Sequence, residues 1–172
     1  MNKLLLAPFL VLAACVIASC IGVVQDLLTY QISKSWYHDW KFYQFGVPAK
    51  YHGPLGAAWV GVGATWWMGV LLSVPVLLVS IFEKSARRMA STFLSAAMIV
   101  AACVILIELA EAIRGAWVFN LNTVPAWALE HYPQDSIGAA RVQSINWVGY
   151  FVGAPIGLLL AIVFAVRRVR KQ

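Results

Sequence analysis

The chain has 172 residues, of which 62% are hydrophobic and only 12% charged, with 13 basic against 7 acidic residues and a net charge of +6. Soluble domains carry about a quarter charged residues, so an ordinary soluble enzyme domain is excluded, and the length suits one membrane domain, 1–172. The positive charge gathers beside apolar segments, where it sets topology, and nucleic acid is not an expected partner.

Four apolar stretches predict an all-α integral membrane four-helix bundle with two interfacial outer loops, its spans at about 4–24, 55–82, 89–113 and 145–166. A hydrocarbon core of about 30 Å needs roughly 20 apolar residues of helix, and in lipid a helix satisfies its own backbone.

Within the first stretch, Leu12-Ala13-Ala14-Cys15 and Ile17-Ala18-Ser19-Cys20 are similar to bacterial lipoprotein cleavage boxes. Apolar sequence continues from Val16 to Val24, where a processed signal turns polar, so the helix is expected to be retained. Ala14, Ala18 and Gly22 recur every four residues, and the next member of that stripe is Asp26. Small residues let membrane helices approach, and a carboxylate is costly in lipid, so Asp26 is expected to face its neighbours.

The first connection, Leu27 to Pro54, mixes Trp36, Tyr37, Trp40, Phe42, Tyr43 and Phe45 with Lys34, His38, Asp39 and Lys41. That mixture predicts an aromatic belt at the headgroup level, with a ligand-stacking pocket as the sharper alternative. The run from Gly22 through Asp26-Leu27-Leu28-Thr29-Tyr30-Gln31-Ile32-Ser33 to Phe45-Gly46, with Ala64-Thr65-Trp66-Trp67-Met68-Gly69 in the second helix, resembles an uncharacterised family of bacterial four-helix integral membrane proteins. Their shared features are an Asp-x-x-Thr-x-x-Ile-Ser element and an aromatic first outer loop ending in Phe-Gly. The resemblance covers the first half of the chain and implies membrane topology and an important first outer loop. The family often has His where this chain has Gln25, and Thr where it has His38, which argues against a histidine-ligated site there.

In the second stretch Ala57, Gly61, Thr65, Gly69 and Ser73 form another four-residue stripe, and Gly149, Gly153 and Gly157 do so in the fourth; Pro75 and Pro155 are candidate kinks. The third stretch carries Glu108, Glu111 and Arg114 on about a third of its circumference. In the second connection, Gly115 to Ser144, Val124 to Leu129 reads as an interfacial turn, followed by His131 and Arg141. Cys15, Cys20 and Cys103 lie within spans without a Cys-x-x-Cys pair and read as buried thiols.

Lys3, Lys84, Arg87, Arg88, Arg167, Arg168, Arg170 and Lys171 flank one side, against Lys34, Lys41, Lys50, Arg114 and Arg141 on the other. The positive-inside rule then places both termini in the cytoplasm of a bacterium, with the chain in its inner membrane. The basic tail also suits anionic headgroups. All 8 tryptophans, 6 tyrosines and 3 histidines fall in the opposite, outward half.

Asp26, Glu108, Glu111, Arg114 and Arg141 thus form the candidate polar site. Carboxylates within spans suggest function, with Asp26, Glu108 and Glu111 as metal-ligand candidates helped by a loop histidine. The structural alternative is a ring of ion pairs, Arg114 with Glu111 and Arg141 with Asp26 or Glu108. No catalytic motif occurs, and no catalytic residue or cofactor is specified. The leading expectation is a non-enzymatic accessory protein that binds a ligand, lipid or partner subunit in an outward-facing polar pocket. The alternatives are a membrane-embedded metal-dependent enzyme using those carboxylates and a small proton or cation transporter. A transporter would need a homo-oligomer, which the glycine stripes would permit.

Overall fold

A computed structural model describes residues 2–171. The first helix, α1 (Lys3–Ile32), starts where the Asn2 side chain accepts a hydrogen bond from the Leu4 amide, satisfying one of the amide groups left free at a helix start. It ends at Ser33, whose extended backbone breaks the helix and whose hydroxyl caps the next, α2 (Lys34–Trp36), by accepting from the Trp36 amide at 3.2 Å. The chain passes through a π-turn, Tyr37–Lys41, into α3 (Phe42–Gln44). Gly46 then turns with a left-handed φ of 59°, and Gly53, at φ 144°, leads into Pro54 at the start of α4 (Pro54–Ser80).

After a short turn, α5 (Ala86–Val118) runs back towards the connections; its amino end is capped by the Ser85 hydroxyl, which accepts from the Arg88 amide. A short α6 (Ala126–His131) precedes α7 (Ser136–Val148), a second π-turn, Gly149–Gly153, and α8 (Ala154–Arg170). The π-turn sits directly before Pro155, which has no amide hydrogen to donate, so the widened turn absorbs the break and the helix continues. No strand occurs among the described residues, and the fold is all-α.

Four helical stretches, Lys3–Ile32, Pro54–Ser80, Ala86–Val118 and Ser136–Arg170, are long and apolar enough to cross a membrane. Each expected span falls on one of them; the first, third and fourth are short, and the second runs two residues past Ser80. The first helix runs eight residues past Val24, and the fourth begins at Ser136 rather than Ile145 because Ser, Gln, Asn and Arg side chains on α7 are accommodated over the bundle end. The second connection therefore shrinks to residues 119–135.

The small-residue stripes set the packing. Gly22 meets Gly61 and Thr65, and Gly69 meets the backbone of Cys15, so α1 and α4 lie in close contact. The Thr65 hydroxyl adds a hydrogen bond to the Ala18 carbonyl at 2.9 Å. Gly153 and Gly157 likewise let the fourth helix approach Val104 and Val100 of α5. Both stripes are thus helix contact faces within the chain, as their four-residue spacing predicts.

Two cores result. At the end carrying the termini, Leu6, Leu10, Val76, Met89 and Phe93 pack together. At the loop end, Tyr30, Trp36, Tyr37, Phe42 and Tyr132 form an aromatic core with Ala57 and Val60. Tyr37 and Phe42 are fully buried and Trp36 nearly so, rather than lying in a belt: the first connection folds inward as a plug, leaving Trp40 and Tyr43 outside. Tyr37 and Phe42 pack against each other and against Tyr30, while Trp36 packs against Trp127 and Tyr132 of the second connection, a pattern that loop-like composition conceals.

Candidate functional site

Asp26 lies one turn beyond Gly22 on the α1 stripe and is only 5% exposed. Its carboxylate accepts a hydrogen bond from the Tyr37 phenol at 2.5 Å. The Thr29 hydroxyl lies 2.6 Å from the same phenol oxygen and 2.9 Å from the Gln25 carbonyl. The plug is therefore latched to the bundle through Tyr37, whose ring contacts Tyr30 edge to face at 5.4 Å. Burial, followed by the adjacent Asp26 carboxylate, pushes the Tyr37 phenol well above its ordinary value of 10.0. Burial also lowers the Lys41 ammonium, an effect the Asp26 carboxylate opposes. Ser33 ties the second connection to the first by donating to Asp135 Oδ2 at 2.6 Å.

Glu108 occupies different surroundings. It is 9% exposed and has no hydrogen-bond or ion-pair partner among the described residues. Its carboxyl rests against Gly149, where any Cβ would overlap Oε1. It lines a cavity of about 90 Å³ whose walls are mainly apolar, including Ile17, Met68, Phe93 and Val104, while Gln25, Thr65, Ser73 and Tyr150 join Glu108 as polar lining groups. Those four already have partners: Gln25 Nε2 donates to Asn146 Oδ1 at 3.0 Å, the Thr65 hydroxyl to the Ala18 carbonyl, the Ser73 hydroxyl to the Val70 carbonyl at 2.9 Å, and the Tyr150 phenol to the Ala64 carbonyl at 3.3 Å. Glu108 is thus the unsatisfied group of an otherwise apolar chamber.

One turn further along α5, Glu111 faces the rim. Arg114 donates to it through Nε at 2.6 Å and through a terminal nitrogen at 2.5 Å, and the Ser144 hydroxyl donates as well. Arg114 is half exposed and also stands over the Phe119 ring, 5.7 Å from its centroid.

The five expected site residues therefore divide. Glu111 and Arg114 pair, as one alternative required. Arg141 pairs with neither Asp26 nor Glu108: its Nε is buried without a hydrogen-bond partner, and its aliphatic stem lies beside Gly115. The closed ion-pair ring is therefore absent, since a phenol takes the place that a guanidinium was expected to hold at Asp26. The metal-ligand trio also fails to assemble. Among the described residues no group of three or more His, Cys, Asp or Glu side chains is placed to hold a metal ion, because Asp26, Glu108 and Glu111 face the latch, the chamber and the rim.

The histidines do not supply ligands to these acids. His38 lies 3.2 Å from the Tyr30 phenol and 5.7 Å, ring to ring, from His52, which donates to the Val47 carbonyl; His131 donates to the Trp127 carbonyl. Cys15, Cys20 and Cys103 are free thiols.

The sequence reading missed Thr29, Tyr37, Gln25 and Tyr150. Thr29 was within reach, since it follows Asp26 by three residues and Gln25 by four, about one helical turn. Tyr37 was not, because its approach depends on the Ser33 break. No protein-family model, curated protein or solved structure matches this chain.

Proposed function

We propose that the chain is a multi-pass protein of the bacterial inner membrane, with both termini cytoplasmic, that binds an amphiphile non-enzymatically between its helices, with the polar head at Glu108 towards the outward end. The charge asymmetry supports the orientation. The observation that carries the binding reading is Glu108: a buried carboxyl group without a partner, at an apolar chamber between the helices. A buried polar group left unsatisfied costs about 1–3 kcal/mol, so a bound donor has a free-energy gain available there. The matching ligand has a hydrocarbon chain to line Ile17, Met68 and Phe93 and a hydroxyl, amide or ammonium head to donate to Glu108. Small-molecule sites commonly combine apolar walls with few polar groups in this way. The resemblance of the first half to bacterial four-helix membrane proteins agrees with the membrane assignment.

Lipid mass spectrometry of protein purified in mild detergent tests the reading. The wild-type chain is expected to retain one amphiphile in stoichiometric amount, and Ala97→Leu, which places extra methyl groups at the chamber wall, is expected to lose it while remaining folded. A wild-type protein without a bound amphiphile, or an Ala97→Leu protein that retains it unchanged, contradicts the proposal.

A further inference from the structure

A second recess lies at the loop end, between the two connections. Trp36, Trp40, Trp127 and Tyr132 line a pocket of about 450 Å³, with Asp39 at its edge. Trp36 and Trp40 cross at 87° with centroids 4.6 Å apart, Trp127 and Tyr132 cross at 90° with centroids 6.3 Å apart, and Trp36 tilts by 63° to Trp127 and by 36° to Tyr132. Ring planes of such different orientation form walls around one space rather than a flat stack, with Trp40 the most exposed of the rings and Trp36 and Tyr132 backing it.

Aromatic faces carry negative quadrupole potential and attract cations within about 6 Å of the ring centroid, most strongly for tryptophan. Trp40 already does this on one face, where Lys41 Nζ stands 5.1 Å from its centroid. The Asp39 carboxylate adds negative potential, felt at Tyr132, whose phenol is pushed up by burial and then by Asp39. The remaining polar lining groups are His131 and Gln143. A compact ammonium ion with many hydrogen-bond donors would leave those donors poorly satisfied among rings. An alkylated ammonium has no such requirement and matches apolar walls with its methyl groups while keeping its charge.

We propose that Trp36, Trp40, Trp127, Tyr132 and Asp39 form an aromatic cage for a quaternary ammonium group, carried either by a soluble solute or by a lipid headgroup. The cage is independent of the Glu108 chamber, and loss of binding at one site leaves the other intact.

The test titrates choline and its uncharged tert-butyl isostere into the full detergent-solubilised chain at constant ionic strength, reading tryptophan fluorescence and calorimetric heat. Choline is expected to saturate one site, and the isostere to bind at least tenfold more weakly. Trp40→Leu and Trp127→Leu, both at incompletely buried positions, are each expected to weaken choline binding about tenfold, whereas Trp40→Phe, which keeps an aromatic face, loses less. Asp39→Asn should weaken choline severalfold without changing the isostere. Unchanged thermal melting establishes that each variant is folded. Nanodiscs with and without a phosphocholine lipid separate the sources: displacement of choline by that lipid assigns a headgroup site, and its failure to displace choline assigns a soluble ligand. Equal binding of choline and its isostere, or no binding of choline or of the phosphocholine lipid, overturns the proposal.

Discussion

At the end carrying the termini, Leu6, Leu10, Met89 and Phe93 fill the space between helices, whereas at the loop end the equivalent space holds Asp26, Thr29, Tyr37 and Glu108 beneath aromatic rings. The terminal end has one buried acid of its own, Glu83, but it accepts from the Thr92 hydroxyl at 2.5 Å beside a tight turn. At the loop end Asp26 and Glu111 are satisfied, whereas Glu108 is left without a partner. Burial alone therefore does not distinguish fastening from function in this bundle; the partner inventory does. A folded chain has a physical reason to keep a hydrogen-bonded acid, while an unpartnered acid costs stability and points to something it binds.

The largest expected effect is at the seam joining both ends. A Cβ at Gly61 would lie 2.5 Å from the Gly22 carbonyl carbon, and backbone offers no rotamer through which to yield. Gly61→Leu should separate α1 from α4 and cost about 3 kcal/mol or abolish folding, measured by thermal or denaturant unfolding in detergent. Retained stability would show that the helices are not fixed by this approach.

The latch comes next. Tyr37→Phe removes the donor to Asp26 while preserving the ring in its aromatic core, and should cost about 2 kcal/mol. It also has a pH signature. Because Tyr37 is held protonated in the fold, the folded state binds more protons than the unfolded one above pH 10.0, so stability should fall as pH rises beyond that value. Tyr37→Phe should reduce this alkaline loss. An equal alkaline slope in the variant would remove Tyr37 as its source.

The rim pair marks the low end of the scale. Glu111→Gln should cost less than about 1 kcal/mol, since Arg114 is half exposed and water replaces its partner. A loss as large as that of Tyr37→Phe would place the rim pair, rather than the phenol latch, at the centre of the loop-end structure.

Much of this architecture was legible in the sequence because membrane helices leave strong signals. Apolar length exposed the four spans, and the Gly61 and Gly153 stripes identified real contact faces. Asp26 was expected to turn inward because it continues a small-residue stripe, and the fold buries it. Its partner was not legible: a nearby arginine is the obvious neutraliser for a carboxylate, but Tyr37 reaches it only after Ser33 breaks the helix and the π-turn reorients the chain. The aromatic connection was misleading for the same reason. Trp36, Tyr37 and Phe42 resemble belt residues by composition, and only the turn geometry reveals that they point into the bundle. The isolation of Glu108 also required three dimensions, since Gly149 on another helix makes its room.

The most direct measurement is the unfolding free energy of Glu108→Gln together with its bound-amphiphile content, compared with the wild-type chain. A group kept for ligand binding, without a structural partner, should tolerate this near-isosteric change. The expected result is stability within about 0.5 kcal/mol of wild type, the range of substitutions that break no specific interaction, with the amphiphile lost or reduced at least tenfold. Destabilisation by about 2 kcal/mol or more with the amphiphile retained would contradict the account and make Glu108 part of the framework.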